Sequence, residues 1–246
     1  MLQVNQLCGF GVGASGYPPG TISKTLGAGQ GNATSGTTYA VNFNGVSGRT
    51  LVVVVAADNN GVNGVSSFAG ITVATGGVNQ QTVLEAVYDP GAAGAGAGLA
   101  VYTFDETYTG VNTVTINFSP ATVAKAVVLW GVSHTGGAPV SAVASNTAGG
   151  TGTAPSVTLT GVLAGDLLIG CQSTEARTAS TTDAAWGTSF VADYYSATGD
   201  SGTAATSMQL DTQLRTASAG GSYTFAPTLG TSRDYIAGIV AIRAAT

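Results

Sequence analysis

The two halves of this chain repeat each other, and that repeat limits what the chain can fold into more than any other feature. VNFNGVSGRTLVVVVA (Val41 to Ala56) and VTLTGVLAGDLLIGCQ (Val157 to Gln172) superpose without a gap. Val41 falls on Val157, Gly45 and Val46 on Gly161 and Val162, and Leu51 on Leu167. Further along, TVLEAVY (Thr82 to Tyr88) answers SFVADYY (Ser189 to Tyr195), VTINF (Val114 to Phe118) answers YTFAP (Tyr223 to Pro227), and the apolar run Ala126 to Val132 answers Ile236 to Ile242. The offset drifts while the order holds, as loop insertions between retained strands would produce.

A chain of 246 residues that repeats once reads as two units of about 100 residues each. Within each unit short β-branched segments alternate with Gly, Asn, Asp and Pro clusters, and no helical period of useful length occurs. In NTVTINF, Val114, Ile116 and Phe118 face one way and Thr113, Thr115 and Asn117 the other, the pattern of a half-buried antiparallel strand. LVVVV and AVVLW are apolar on both faces and suit central strands covered on each side. The expected fold is all-β: two tandem antiparallel β-sandwich domains, jelly-roll or immunoglobulin-like, preceded by an extended N-terminal arm.

The arm spans residues 1–31, the first sandwich 32–135, an uncharged linker 136–152 (GGAPVSAVASNTAGGTG) and the second sandwich 153–246. Two readings of the arm stand open. It either crosses to a neighbouring subunit, anchored by Leu2, Val4, Leu7 and Phe10, or supplies a first edge strand with a frayed end. DPGAAGAGAG (Asp89 to Gly98) and ATGDSGTA (Ala197 to Ala204) hold matching places and should be loops at the same end of each sandwich.

Composition removes several function classes. Seven Lys and Arg stand against twelve Asp and Glu, for a net charge of −5 with no basic cluster, so no nucleic-acid partner is expected. The longest apolar runs, Leu51 to Ala57 and Ala126 to Val132, are about a third of the ~20 residues that cross a bilayer, so no membrane insertion is expected. No Lys or Arg precedes Lys24 and no long apolar core follows the start, which does not read as a secretory signal. Cys8 and Cys171 cannot form a disulfide framework or a zinc site by themselves; Cys171 reads as a buried small thiol and Cys8 as a residue able to pair between subunits.

No constellation declares a reaction, and no catalytic, cofactor-binding or metal-ligating residue is expected. No serine has glycine two residues away on both sides, as a nucleophile elbow requires. His134, the only histidine, has no neighbouring carboxylate or nucleophile in the sequence and reads as a solvated hinge residue. Glu85, Asp105, Glu106 and Glu175 are the carboxylates eligible for glycoside hydrolysis, yet adjacent Asp105 and Glu106 must point to opposite faces of a strand. DNNG (Asp58 to Gly61) offers oxygen ligands and a turn glycine but lacks the later bidentate carboxylate of a calcium loop. Among the aromatics, Trp130 belongs to the core. Tyr88, Trp186 and Tyr195 are the candidates for stacking on a glycan or contacting a partner, and Tyr194 faces away from Tyr195.

The segments NQLCGFGVG, GVLAGDLLIGCQSTEA, a Trp followed by VADYY, RTASAGGSYTF and DYIAGIVAIRAA resemble a repeat in accessory structural proteins of tailed bacteriophages, of decoration or minor-tail type. That resemblance implies a non-enzymatic virion protein, assembled in the host cytoplasm, whose partners are capsid or tail proteins and further copies of itself. Head decoration is favoured, because a compact chain with no coiled coil or fibre repeat makes a poor tail fibre. The alternative it leaves is a tail-tip or neck adhesin, a module that binds cell-surface glycan through loop aromatics.

Overall fold

A computed structural model describes residues 21–58, 67–91, 96–137, 139–176, 190–198, 203 and 206–245. The arm residues Leu2, Val4, Leu7, Cys8 and Phe10, the turn residues 59–61 and Trp186 lie outside the described residues, as do the side chains of Tyr194 and Tyr195. Among the described residues there is no helix and most form strands, so the all-β expectation holds.

The first half contributes β1 (Ile22–Asn32), β2 (Gly36–Gly45), β3 (Thr50–Asp58), β4 (Phe68–Val73), β5 (Gly77–Tyr88), β6 (Ala97–Glu106), β7 (Gly110–Thr122) and β8 (Lys125–His134). The second contributes β9 (Val140–Gly152), β10 (Val157–Val162), β11 (Leu167–Glu175), β12 (Val191–Ala197), β13 (Met208–Thr216), β14 (Gly221–Phe225) and β15 (Arg233–Ala244). All pair antiparallel. One five-stranded sheet has the order β1-β8-β3-β6-β5 and the other β9-β15-β11-β13-β12, the same order strand for strand. Behind the first lies a three-stranded sheet, β2-β7-β4, and behind the second the pair β10-β14.

The sheets stack in layers because each five-stranded sheet buries side chains on both faces. On β3, Leu51, Val53 and Val55 join Phe43, Val114 and Ile116 of the three-stranded sheet in one core. The alternate residues Val52, Val54 and Ala56 join Leu167, Ile169, Cys171, Leu210 and Val240 of the other half in another. A third core lies between the second five-stranded sheet and β10-β14, around Leu168, Phe225 and Ile239. The central core belongs to both halves, so the two five-stranded sheets bury each other.

The contacts across that seam are reciprocal. β1 lies on β12 and β9 on β5, β8 on β13 and β15 on β6, and β3 on β11. Reciprocity of this kind is the mark of an isologous, two-fold interface, here closed within one chain. Glycine permits the approach at two points: a Cβ at Gly238 would sit 2.9 Å from Leu99 Cδ2, and one at Gly149 3.0 Å from Tyr88 Cβ.

Two stretches differ from the sequence expectation. Residues 136–152, read as a linker, carry β9, paired with β15 along its length, and the true crossing is the short stretch 135–139. Residues 22–31, read as part of an arm without a counterpart, form most of β1, and of the two readings left open for them the described part is an edge strand. β1 and β9 are equivalent: Ile22 pairs with His134 at the end of β8, and Val140 with Ala244 at the end of β15.

The gapless superposition also fails by one residue. In β10, Thr160 and Gly161 stand opposite a single residue of β14, a bulge made by Gly161 at φ +74°. Beyond it Val46 matches Leu163, Gly48 matches Gly165, and Leu51 matches Leu168 rather than Leu167. The backbone confirms the shift: Gly48 N donates to Glu106 O and Gly165 N to Ala217 O, while Glu106 N donates to Arg49 O and Ala217 N to Asp166 O, all at 2.8 Å. The same pairings match Val114 with Phe225 instead of Tyr223 and Glu85 with Tyr195, so Tyr88 and Tyr195 are not equivalent. The match of Ala126–Val132 to Ile236–Ile242 stands.

Candidate functional site

The two ends of the layered stack differ in chemistry. At one end lie the tight turns β2–β3, β6–β7 and β10–β11; at the other β3 and β11 finish at Asp58 and Glu175.

At the tight-turn end each half builds the same clamp from different residues. In the first, Glu106 on β6 accepts a hydrogen bond from Val46 N at 3.3 Å and forms a buried ion pair with Arg49, whose Nη2 donates to Asn44 O at 2.9 Å. In the second, Asp166 in the turn accepts from Leu163 N at 2.8 Å and pairs with Arg243 of β15 at 2.7 Å; Arg243 Nη2 also reaches Gly161 O. Burial works against the charge on Asp166, but the hydrogen bonds from Arg243 and Leu163 N hold its carboxyl below the usual range. A carboxylate tied to a turn N–H and an arginine tied to a turn carbonyl satisfy the polar groups of a sharp corner and fix it rigidly.

Each clamp presents an aliphatic side chain to solvent. Val46 is 47% exposed and its counterpart Leu163 is 51% exposed. Tyr108 and Val78 are also exposed at this end, with Val111 at 75%. Beside the turns lie two concavities that correspond under the two-fold relation. One, of about 450 Å³, is lined by Ile22, His134, Leu163, Asp166 and Arg243. The other, of about 470 Å³, is lined by Arg49, Thr50, Asp105, Ser133 and Val140. Each combines a turn of one half with the start of an edge strand of the other. Thr21, where the described chain begins, stands on the rim of the first.

The carboxylates considered for hydrolysis are dispersed. Glu106 is held in its clamp. Asp105 accepts from Thr50 Oγ1 and from Asn79 Nδ2, both at 2.8 Å. Glu85 is exposed on β5, and Glu175 stands at the opposite end of its sheet. The grouping that does form was not legible in the sequence: Asp58, Glu175 and Asp234 meet near the seam, with Gly96 N donating to Glu175 Oε2 at 2.6 Å. Burial, and then the charges of Asp234 and Asp58, push Glu175 up to about 7. The sequence marks Asp58 only as part of a calcium-like turn, and its meeting with Glu175 follows from β3 and β11 being equivalent strands on facing sheets. Among the described residues no His, Cys, Asp and Glu side chains group as a metal site.

The remaining candidates are placed as follows. His134 ends β8, half buried, beside the Asp166–Arg243 clamp. Cys171 is fully buried in the central core, and burial pushes its thiol up to about 12, as the buried-thiol reading expects. Trp130 is buried in the same core, and its Nε1 donates to Thr212 Oγ1 across the seam at 3.2 Å. Tyr88 is half buried and shares a 2.9 Å hydrogen bond with Thr151 Oγ1 of the other half, so it secures the seam rather than offering a free stacking face. Among the described residues no helix is long and apolar enough to cross a membrane.

No protein-family model matches the chain, and neither does any curated protein or solved structure.

Proposed function

We propose that this chain is a non-enzymatic structural protein of a bacteriophage particle, one that attaches to the assembled shell and decorates it. The observation that carries the proposal is the tight-turn end: two equivalent aliphatic knobs, Val46 and Leu163, each set on a corner locked by a carboxylate and an arginine. The clamp is built twice from different residues, and the exposed knob is kept both times. An exposed aliphatic side chain on a rigid support is what shape-complementary apolar docking uses. The twenty residues that precede Thr21 leave from the same end, so tether and knobs would engage one surface.

The strand order supports this reading. The order β1-β8-β3-β6 facing β2-β7-β4 fits a jelly roll, the fold of viral capsid and lectin domains alike, with β5 added at the edge of the first sheet. On this reading the chain is two jelly rolls fused back to back, made in the host cytoplasm and resident in the virion. Repetition around a symmetric particle turns a weak two-knob contact into stable attachment.

The test is the copy number of the chain in purified particles from its source, by quantitative mass spectrometry against a capsid protein. Hundreds of copies would support head decoration, a handful would move the chain to the tail tip or neck, and absence would end the virion reading. Replacing Val46→Asp and Leu163→Asp together should abolish rebinding to particles stripped of the protein while leaving its thermal unfolding unchanged.

A further inference from the structure

The repeat supplies an internal control for every position, and one face departs from it. On the outer side of the first five-stranded sheet, Val55, Ala57, Ala100 and Tyr102 complete an apolar core. The matching positions of the second sheet carry Gln172, Thr174, Asp211 and Gln213, and Gln209 stands where the first half has Gly98. The polar residues are not a solvated face. Gln172 is 1% exposed and Gln213 0%, and Thr174, Gln209 and Asp211 are buried with them.

Their geometry is ordered. Gln172 is directly opposite Asp211 and Thr174 opposite Gln209 across the β11–β13 ladder. Gln172 Nε2 donates to Thr174 Oγ1 at 2.7 Å, which fixes the amide with its Oε1 turned away; Gln209 Nε2 donates to Asp211 Oδ2 at 2.8 Å. Gln172 Oε1 and both polar atoms of Gln213 are buried without a hydrogen-bond partner. Each such group is costly to bury if nothing completes it. A face that could have been apolar, as its twin is, would not retain three such atoms for stability.

We propose that this row is a binding site for a neutral, hydroxyl-rich ligand of saccharide type. The unpaired set is mixed: two acceptors, Gln172 Oε1 and Gln213 Oε1, and one donor, Gln213 Nε2. A bare cation would meet the donor Gln213 Nε2, and an anion would meet the acceptors and Asp211. A hydroxyl group both donates and accepts, so neighbouring hydroxyls on one ring match such a row. The proposal does not depend on the attachment reading and would survive its failure.

The test is titration of the full chain with glucose, galactose, N-acetylglucosamine and rhamnose, and with disaccharides of each, read by thermal unfolding and calorimetry. The expected result is a concentration-dependent rise in Tm with at least one sugar, lost in Gln172→Leu and Gln213→Leu and kept in Gln81→Leu, which lies on exposed β5. Should the leucine variants not fold, movement of the Gln172 and Gln213 side-chain amide resonances of the unmodified chain during the titration decides the matter. No Tm shift and no amide movement with any sugar would overturn the proposal and leave the row as a water-filled structural feature.

Discussion

Replacing Glu175 by glutamine should remove most of the loss of stability this protein suffers between mildly acidic and mildly alkaline pH. Glu175 is buried at the seam; burial first, and then Asp234 and Asp58, raise its carboxyl from 4.5 to about 7 against the opposing hydrogen bond from Gly96 N. A carboxyl raised in the folded state keeps a proton that the unfolded chain has already released. Stability therefore falls as pH climbs from the unfolded value through the folded one, and is level above it. At about 1.4 kcal/mol per unit, the interval from 4.5 to about 7 amounts to at most about 3.5 kcal/mol, and solvent screening and relaxation of the seam bring it to about 1–3 kcal/mol. Glu175→Gln keeps an oxygen for Gly96 N and removes the charge, while Asp234 and Asp58 can accept from the new amide. Urea unfolding followed by tryptophan fluorescence at about pH 5 and about pH 8 should show the unmodified chain weaker at the higher pH by that amount and the variant nearly level. Parallel pH profiles for the two proteins would refute the reasoning, because the three carboxylates would then not be coupled across the seam.

Two other substitutions test the clamps and the seam. Arg49→Ala strands Glu106, whose side chain is 2% exposed, and should cost about 3 kcal/mol in urea unfolding; Arg243→Ala should cost less, because that arginine is 28% exposed and its pair better screened. Gly238→Val should destabilise by about 2 kcal/mol or more, since even its Cβ would press on Leu99, Leu84 and Cys171, while Gly152→Ala, with open space around it, should be close to neutral in the same assay.

The repeat, the all-β class and the doubly covered central strands could be read from the residues because each rests on local pattern. LVVVV and AVVLW announced two buried faces, and the structure buries both. What covers the second face is the other half of the chain, a long-range fact that periodicity does not carry. Register was lost at Gly161, since in a strand a single extra residue moves every later side chain to the opposite face. The strand β9 was hidden by its composition. Its Gly149 is needed where Tyr88 packs close, so tertiary contact overrides weak β-propensity there. The polar row was visible only as an alternating strand, SMQLDTQL, whose polar positions would ordinarily face water.

The pattern of what matches and what differs between the halves bears on why the chain is a fusion at all. A five-stranded sheet with an apolar face like that of Val52, Val54, Leu99 and Val101, which forms the seam, cannot stay in water, and the reciprocal contacts show that each half fits the other as two copies of one unit would. In a dimer of identical chains any change on the outer face appears twice. Joining the units releases that constraint: the seam and the clamped knobs are kept in both halves, whereas Gln172, Asp211 and Gln213 replace Val55, Ala100 and Tyr102 in only one. The fused chain can thus keep one sandwich with a dry outer core, which supplies stability, while its twin gives up part of that core to a polar row. Stability and recognition are then divided between two halves that a two-fold dimer would have been obliged to make alike.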